Sequence, residues 1–262
     1  MNIVVLMKRV PDTETRIQVR DGKVVTDGIS WVISPYDEYA VEEALQIVEK
    51  QGGGKVTLLT LGPEEAKETI RKGLALGADD AVHLNDPAFL NGDASTTARV
   101  LAAACSKLQY DLILGGKQAV DDDNAQVALR VAELLGLPDV NAAIKIELAP
   151  DLKSARCTRE VDGERDIMVT TLPAVITAQQ GLNEPRYPSL KGIMGAKKKP
   201  IKDMKAADLG LDPVTLGANG AKVKVNRIDP PAPRPPGKII PGDTATAAKE
   251  LVRMLREEAK VI

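Results

Sequence analysis

The strongest chemical signal in the chain is Asp111-Leu-Ile-Leu-Gly-Gly-Lys-Gln-Ala-Val-Asp-Asp-Asp-Asn-Ala-Gln126. An apolar run enters a glycine pair, passes a polar loop and opens into a helical stripe at Val127, Val131, Leu134 and Leu135, which stops at Gly136-Leu-Pro138. The start of a helix presents free N–H groups and a partial positive charge, so phosphate is the chemistry this turn suits. Ligands of open α/β sheets sit at the carboxyl ends of strands, where this loop belongs. From the residues alone two other readings stay open. Asp123 or Asn124 can simply cap the helix, and carboxylates can bind metal, although no second acidic cluster of this kind exists. Asp121, Asp122 and Asp123 sit awkwardly beside a phosphate unless they cap N–H groups, hold ribose hydroxyls or point away. A second signal is Leu190, in a loop framed by proline and glycine and followed by lysines. An apolar tip with a charged rim suits docking, and a buried loop leucine is the plain alternative.

Other reactive residue types are sparse. Cys105 shares a helical stripe with Thr97, Val100, Leu101, Ala104 and Leu108, so it reads as a packed core thiol. The single histidine, His83, ends an apolar run and reads as a strand-edge residue, because one ligand makes no metal centre. No GxGxxG follows the first strand, so the usual dinucleotide fingerprint is missing.

The elements that must position these residues follow from periodicity. Residues 3–7, 55–61, 80–84, 111–115 and 173–178 read as strands apolar on both faces, as buried parallel strands are. Val41, Ala44, Leu45 and Val48 mark an intervening helix. Strand–helix alternation predicts an α/β fold with a doubly wound, mostly parallel sheet. Asp21-Gly22 and Asp162-Gly163 predict two antiparallel hairpins with type I′ turns. Asp229-Pro-Pro-Ala-Pro-Arg-Pro-Pro-Gly237 predicts an extended arm leading to a terminal helix over residues 243–260. That helix folds back on its own domain or reaches a partner.

At 262 residues, one or two domains fit. A net charge of −2 and 2% aromatic residues exclude a nucleic-acid module, which needs a basic face and stacking rings. No apolar run approaches the ~20 residues of a membrane span. Lys8 and Arg9 follow the first apolar run, the reverse of a secretory signal, and two cysteines define no disulfide framework, so a cytoplasmic location is expected.

Much of the chain resembles the beta subunit of electron-transfer flavoproteins. The resemblance is carried by Val5-Leu-Met-Lys-Arg-Val-Pro-Asp12, Ser34-Pro-Tyr-Asp-Glu-Tyr-Ala-Val-Glu-Glu-Ala44, Gly116-Lys-Gln-Ala-Val-Asp-Asp-Asp123, Leu172-Pro-Ala-Val-Ile-Thr-Ala178 and Leu182-Asn-Glu-Pro-Arg-Tyr-Pro-Ser-Leu190. Ile193-Met194 and Ala196-Lys-Lys-Lys199 extend it, so it runs nearly end to end.

The resemblance implies a Rossmann-like fold of the adenine nucleotide alpha-hydrolase type over residues 1–185. It also implies a partner-recognition loop at 186–200, and an arm and helix at 201–262 contacting an alpha subunit. That subunit would hold most of the site for a redox-active FAD. Carried over by position, a nucleotide wall would comprise Leu6, Ser34, Pro35, Tyr36, Asp37, Leu61, Gly116, Lys117, Gln118, Ala119, Val120, Asp121, Asp122, Asp123, Asn124, Ala125, Gln126 and Val127. Partner docking would fall to Tyr187, Leu190, Ile193, Met194 and Lys197, with no catalytic residue and no metal. In the ordinary branch the wall holds AMP, and electrons pass from dehydrogenases such as acyl-CoA dehydrogenase to a quinone oxidoreductase or another acceptor. In an electron-bifurcating, NADH-oxidising branch the wall holds a second FAD, and the complex is an enzyme in its own right. An adenine-nucleotide-binding regulatory protein is a third alternative.

Departures cut both ways. Ala125-Gln126-Val127 replaces the Asn-Gln-Thr frequent in the AMP branch, and Thr13 stands where that branch places an aromatic residue; both lean toward bifurcation. Asp122 stands where the bifurcating branch tends to have glycine. The balance favours AMP.

Overall fold

Long apolar runs become strands, and the amphipathic stretches between them become their covering helices. The computed structural model describes residues 1–234 and 236–262; Pro235, within the expected prolyl arm, lies outside the described residues. The first part of the chain runs β1 (Asn2–Leu6), β2 (Arg9–Pro11), β3 (Gln18–Arg20), β4 (Lys23–Val25), β5 (Trp31–Ile33) and α1 (Pro35–Lys50). Next come β6 (Lys55–Leu61), α2 (Ala66–Leu76), β7 (Asp80–Leu84), α3 (Ala94–Cys105), β8 (Leu112–Gly116) and α4 (Val127–Leu135). Then follow β9 (Asp139–Leu148), β10 (Ser154–Val161), β11 (Glu164–Thr171) and β12 (Val175–Ala178). The last elements are α5 (Leu190–Ala196), β13 (Ile201–Met204), α6 (Ala206–Leu209), α7 (Gly217–Gly220) and α8 (Thr244–Glu257).

By contact the described chain divides into two compact units, Met1–Ile17 with Val25–Asn226, and Gln18–Val24 with Arg227–Ile262. The first extends through Asn226 and takes in β13, which joins the main sheet beside β7. Its nine-stranded sheet has the order β11-β10-β9-β12-β8-β1-β6-β7-β13. The strands from β9 through β13 along this order pair in parallel, while β9, β10 and β11 form an antiparallel extension at one end. This is the expected doubly wound, mostly parallel α/β sheet with hairpin excursions. From β1 the chain builds β6 and β7 on one side and β8 and β12 on the other, so the direction of winding reverses between β1 and β8.

Two apolar cores sandwich this sheet. Ile3, Val5 and Leu58 pack under α1 and α2, while Val4, Leu59 and Ile113 pack with residues of α3, α4 and α6. Cys105 is buried in the second core, and burial pushes its thiol up to about 12. The thiol is therefore a packed apolar group, as its stripe implies.

His83 corrects an expectation. It is fully buried rather than at a strand edge, because β13 covers the side of β7 that would otherwise be open. Its Nε2 lies 3.0 Å from the Gly62 carbonyl and its Nδ1 lies 3.2 Å from Asp203 Oδ1, on the covering strand.

In the second unit, β3 and β4 form the expected hairpin, with positive φ at Asp21 and Gly22 as a type I′ turn requires. The Ile228 N–H donates to the Gly22 carbonyl at 3.0 Å. Helix α8 is capped by Asp243, whose side chain accepts from the Thr246 N–H.

Candidate functional site

The winding reverses between β1 and β8, where an open α/β sheet has its ligand crevice, and the expected nucleotide residues gather at these carboxyl ends. Leu6 closes β1, beside Leu59 of β6 and Gly115 of β8, while Leu61 and Gly116 end those two neighbours. Ser34 is the N-cap of α1, and Pro35, Tyr36 and Asp37 form its first turn. Residues 117–126 make the loop from β8 to α4, and Val127 begins that helix. Adjacent strand ends therefore bring together what the sequence separates by more than a hundred positions.

Asp37 ties the crevice floor. One of its oxygens accepts the Lys8 N–H at 2.7 Å and the other the Gly116 N–H at 2.8 Å, so a single carboxylate pins the ends of β1 and β8. Burial pushes this carboxyl up to about 7, against the pull of the two N–H donors. Gly116 is required by close approach, because a Cβ there would stand 2.5 Å from Asp37 Oδ1 and 2.7 Å from Tyr36 Cβ. The Ser34 hydroxyl is fully buried and has no hydrogen-bond partner.

The loop carries strain and charge. Asp123 and Ala125 both adopt positive φ, 49° and 50°, which non-glycine residues rarely do and which clusters at functional sites. Lys8 reaches in from the end of β1, its ammonium 2.7 Å from Asp121 and 3.1 Å from Asp122. Burial alone would lower the Lys8 pKa, but the two aspartates carry it above the ordinary lysine value. Gln118 Nε2 donates to Asp123 Oδ1 at 2.8 Å. Gln126 makes no cap for α4; its Oε1 accepts from Arg130 one turn on, at 2.9 Å. Sequence reading passed over Lys8, because a lone lysine after a strand has no pattern and its partner lies 113 positions away.

The expected docking residues lie elsewhere, on α5 and its lead-in. Tyr187, Leu190 and Met194 are 95%, 82% and 73% exposed, with Ile193 at 45% beside them. The mount beneath is held by several specific contacts. Gly192 lets α5 lie against α2, since a Cβ there would come 2.3 Å from the Ala75 carbonyl oxygen. Arg71 donates to the carbonyls of Ala196 and Lys199. Lys199 turns inward to the carbonyls of Leu74, Gly77 and Ala78, whereas Lys191, Lys197 and Lys198 are exposed. On the lead-in, Arg186 forks onto Glu42 and Glu49 of α1, with closest distances of 2.8 and 2.6 Å. Asn183 Nδ2 donates to the Tyr39 carbonyl and to Glu43.

Comparison with known proteins shows the family. Residues 21–209 match the electron transfer flavoprotein domain. Over 265 residues, spanning all of both chains, the protein is 46% identical to the electron transfer flavoprotein subunit beta of Bacillus subtilis. The chain belongs to the electron transfer flavoprotein beta-subunit family. The mouse electron transfer flavoprotein subunit beta is 37% identical over 100% of this chain and 99% of its own. The caffeyl-CoA reductase-Etf complex subunit CarD of Acetobacterium woodii is 36% identical over 98% of this chain and 99% of its own. A beta subunit of this family implies an alpha-subunit partner, and a flavoprotein family implies association with flavin. Among the described residues no His, Cys, Asp or Glu cluster could hold a metal ion, and no helix is long and apolar enough to cross a membrane.

Proposed function

We propose that this chain is the beta half of a heterodimeric electron carrier that holds AMP in its own crevice. Electrons would arrive from dehydrogenases such as acyl-CoA dehydrogenase at an FAD held mainly by the alpha subunit, and leave for a quinone oxidoreductase or another acceptor. The observation that carries the reading is the apolar face of α5, exposed on a mount fastened by Arg71, Arg186 and Lys199. An apolar tip flanked by the exposed Lys197 and Lys198 suits reversible docking of protein partners.

Three features of the crevice support a nucleotide ligand. Its floor offers an unpartnered buried hydroxyl on Ser34, Gly116 leaves room that a side chain would fill, and the α4 N-terminus carries no side-chain cap. Ser34 and the first-turn N–H groups of α4 would hold the nucleotide, with Asp37 fixing the strand ends beneath. FAD, when bound, supplies the redox chemistry. This chain's residues shape the crevice, exclude water from its floor and present the docking face.

A second reading has its own support. The Ala125-Gln126-Val127 turn favours a bifurcating, NADH-oxidising complex with a second FAD in the crevice, and one relative is named as a subunit of a caffeyl-CoA reductase-Etf complex. The deciding experiment is to purify the chain with its alpha partner, denature the complex and count the nucleotides released. One AMP and one FAD per heterodimer is the expected result, and two FAD would replace the carrier reading with the bifurcating one.

A further inference from the structure

We infer that Lys8 is a positioning residue of the crevice: it draws Asp121 and Asp122 onto itself, so that a phosphate monoester can sit beside three consecutive carboxylates. This rests on the nucleotide reading and resolves the electrostatic difficulty within it. Lys8 is fixed at both backbone groups, its N–H on Asp37 at 2.7 Å and its carbonyl receiving the Ser34 N–H at 3.0 Å. The ammonium therefore projects from a rigid base, and it meets both aspartates within hydrogen-bond distance. The second oxygen of Asp122 takes the Asn124 N–H at 3.2 Å, and Asp123 is occupied by Gln118. All three carboxylates thus point at donors.

The neighbouring residue gives an independent reason to place a ligand here. Ser34 caps the 16-residue α1, and its hydroxyl is wholly buried without a partner. Buried hydroxyls are almost always bonded, so this one calls for a group absent from the protein itself. Lys8 links Ser34 to the acidic loop, its carbonyl receiving the Ser34 N–H and its ammonium meeting Asp121 and Asp122. Without its charge, an incoming phosphate would face Asp121 and Asp122 unneutralised at short range, where repulsion is little screened.

The test uses the full-length chain, stripped of nucleotide by unfolding and refolded, then titrated calorimetrically with AMP and with adenosine. Lys8→Gln should weaken AMP ~10–100-fold, the range for loss of a charged interaction. Adenosine, which lacks the phosphate, should change by less than about twofold, and Lys8→Arg should keep most AMP affinity. In the background of Asp121→Asn with Asp122→Asn, whatever its own AMP affinity, Lys8→Gln should cost AMP binding less than about twofold, as a double-mutant cycle requires. This arm also decides the matter if Lys8→Gln alone folds poorly. Equal weakening of AMP and adenosine would make Lys8 a structural pin and overturn the inference. Unchanged AMP binding in Lys8→Gln overturns it while the nucleotide reading stands. A wild-type chain that takes neither ligand overturns both.

Discussion

The N–H groups of Lys8 and Gly116 end on one buried carboxylate, and Asp37 is where hydrogen bonding and burial oppose each other most directly. The donors favour the ionised form and the apolar surroundings disfavour it; burial prevails and lifts the folded-state value to about 7. In the unfolded chain an aspartate titrates near ~3.9. A raised folded value means that the native state binds the proton more tightly. The contribution to stability is then fully present below the unfolded value and is lost as pH rises through about 7. Asp37→Asn has no such titration and places an NH2 group opposite one of the two N–H donors, at a cost of about 1–3 kcal/mol. Wild type should therefore be the more stable at pH 5, and its advantage in urea denaturation should shrink between pH 5 and pH 8. An advantage independent of pH across that range would show that Asp37 is not the group that titrates.

Among the elements, α5 and its mount carry the sharpest expectation. Leu190→Ala removes an apolar tip that is 82% exposed, so the fold should hardly notice, with stability changing by less than about 0.5 kcal/mol. Docking should notice: an anchor side chain buried in a partner is worth about 1.5–3 kcal/mol, hence a dehydrogenase binding ~10–100-fold more weakly. Neutralising Lys197 and Lys198 should change the salt dependence of the association rate more than the affinity, as rim charges do. Wild-type electron transfer by Leu190→Ala at limiting partner concentration would remove α5 from the docking reading. The strands show how much of this framework periodicity can reveal. β1, β6, β7, β8 and β12 are near-continuous apolar runs and were legible to within two residues. β13 was not, because Ile201-Lys-Asp-Met204 is four residues with a charged pair at its centre, and only its pairing with β7 makes it a strand. The same separation of cause from sequence hid the site's supports. The glycine pair and the aspartates of the loop announce themselves, whereas Lys8, Arg186 and Lys199 act on partners more than a hundred positions away.

The whole molecule poses a question of stability that its two units answer differently. Both apolar cores lie within residues 1–226, so the first unit contains what holds a domain together. In Arg227–Ile262, by contrast, none of the described residues is buried. Ile239 is 94% exposed, and Leu251 and Val252 stand out from α8 at 48% and 44%. A 14-residue helix is marginal in water on its own, and helices in proteins draw most of their stability from packing an apolar face. The pairs of Arg253 with Glu250 and Glu257 are surface ion pairs, which contribute at most about 1 kcal/mol each. The apolar side of α8 therefore calls for a second surface, and we propose that the alpha subunit supplies it. A chain ended after Asn226 should fold with a thermal midpoint within a few degrees of the full-length protein, because neither core is touched. Coexpressed with the alpha subunit, it should yield little or no flavin-coloured heterodimer, where the full-length chain should yield a yellow one that survives gel filtration. If the shortened chain assembles as well as the intact one, the arm and α8 have some other role. If it fails to fold at all, the first unit needs residues that its own cores do not contain.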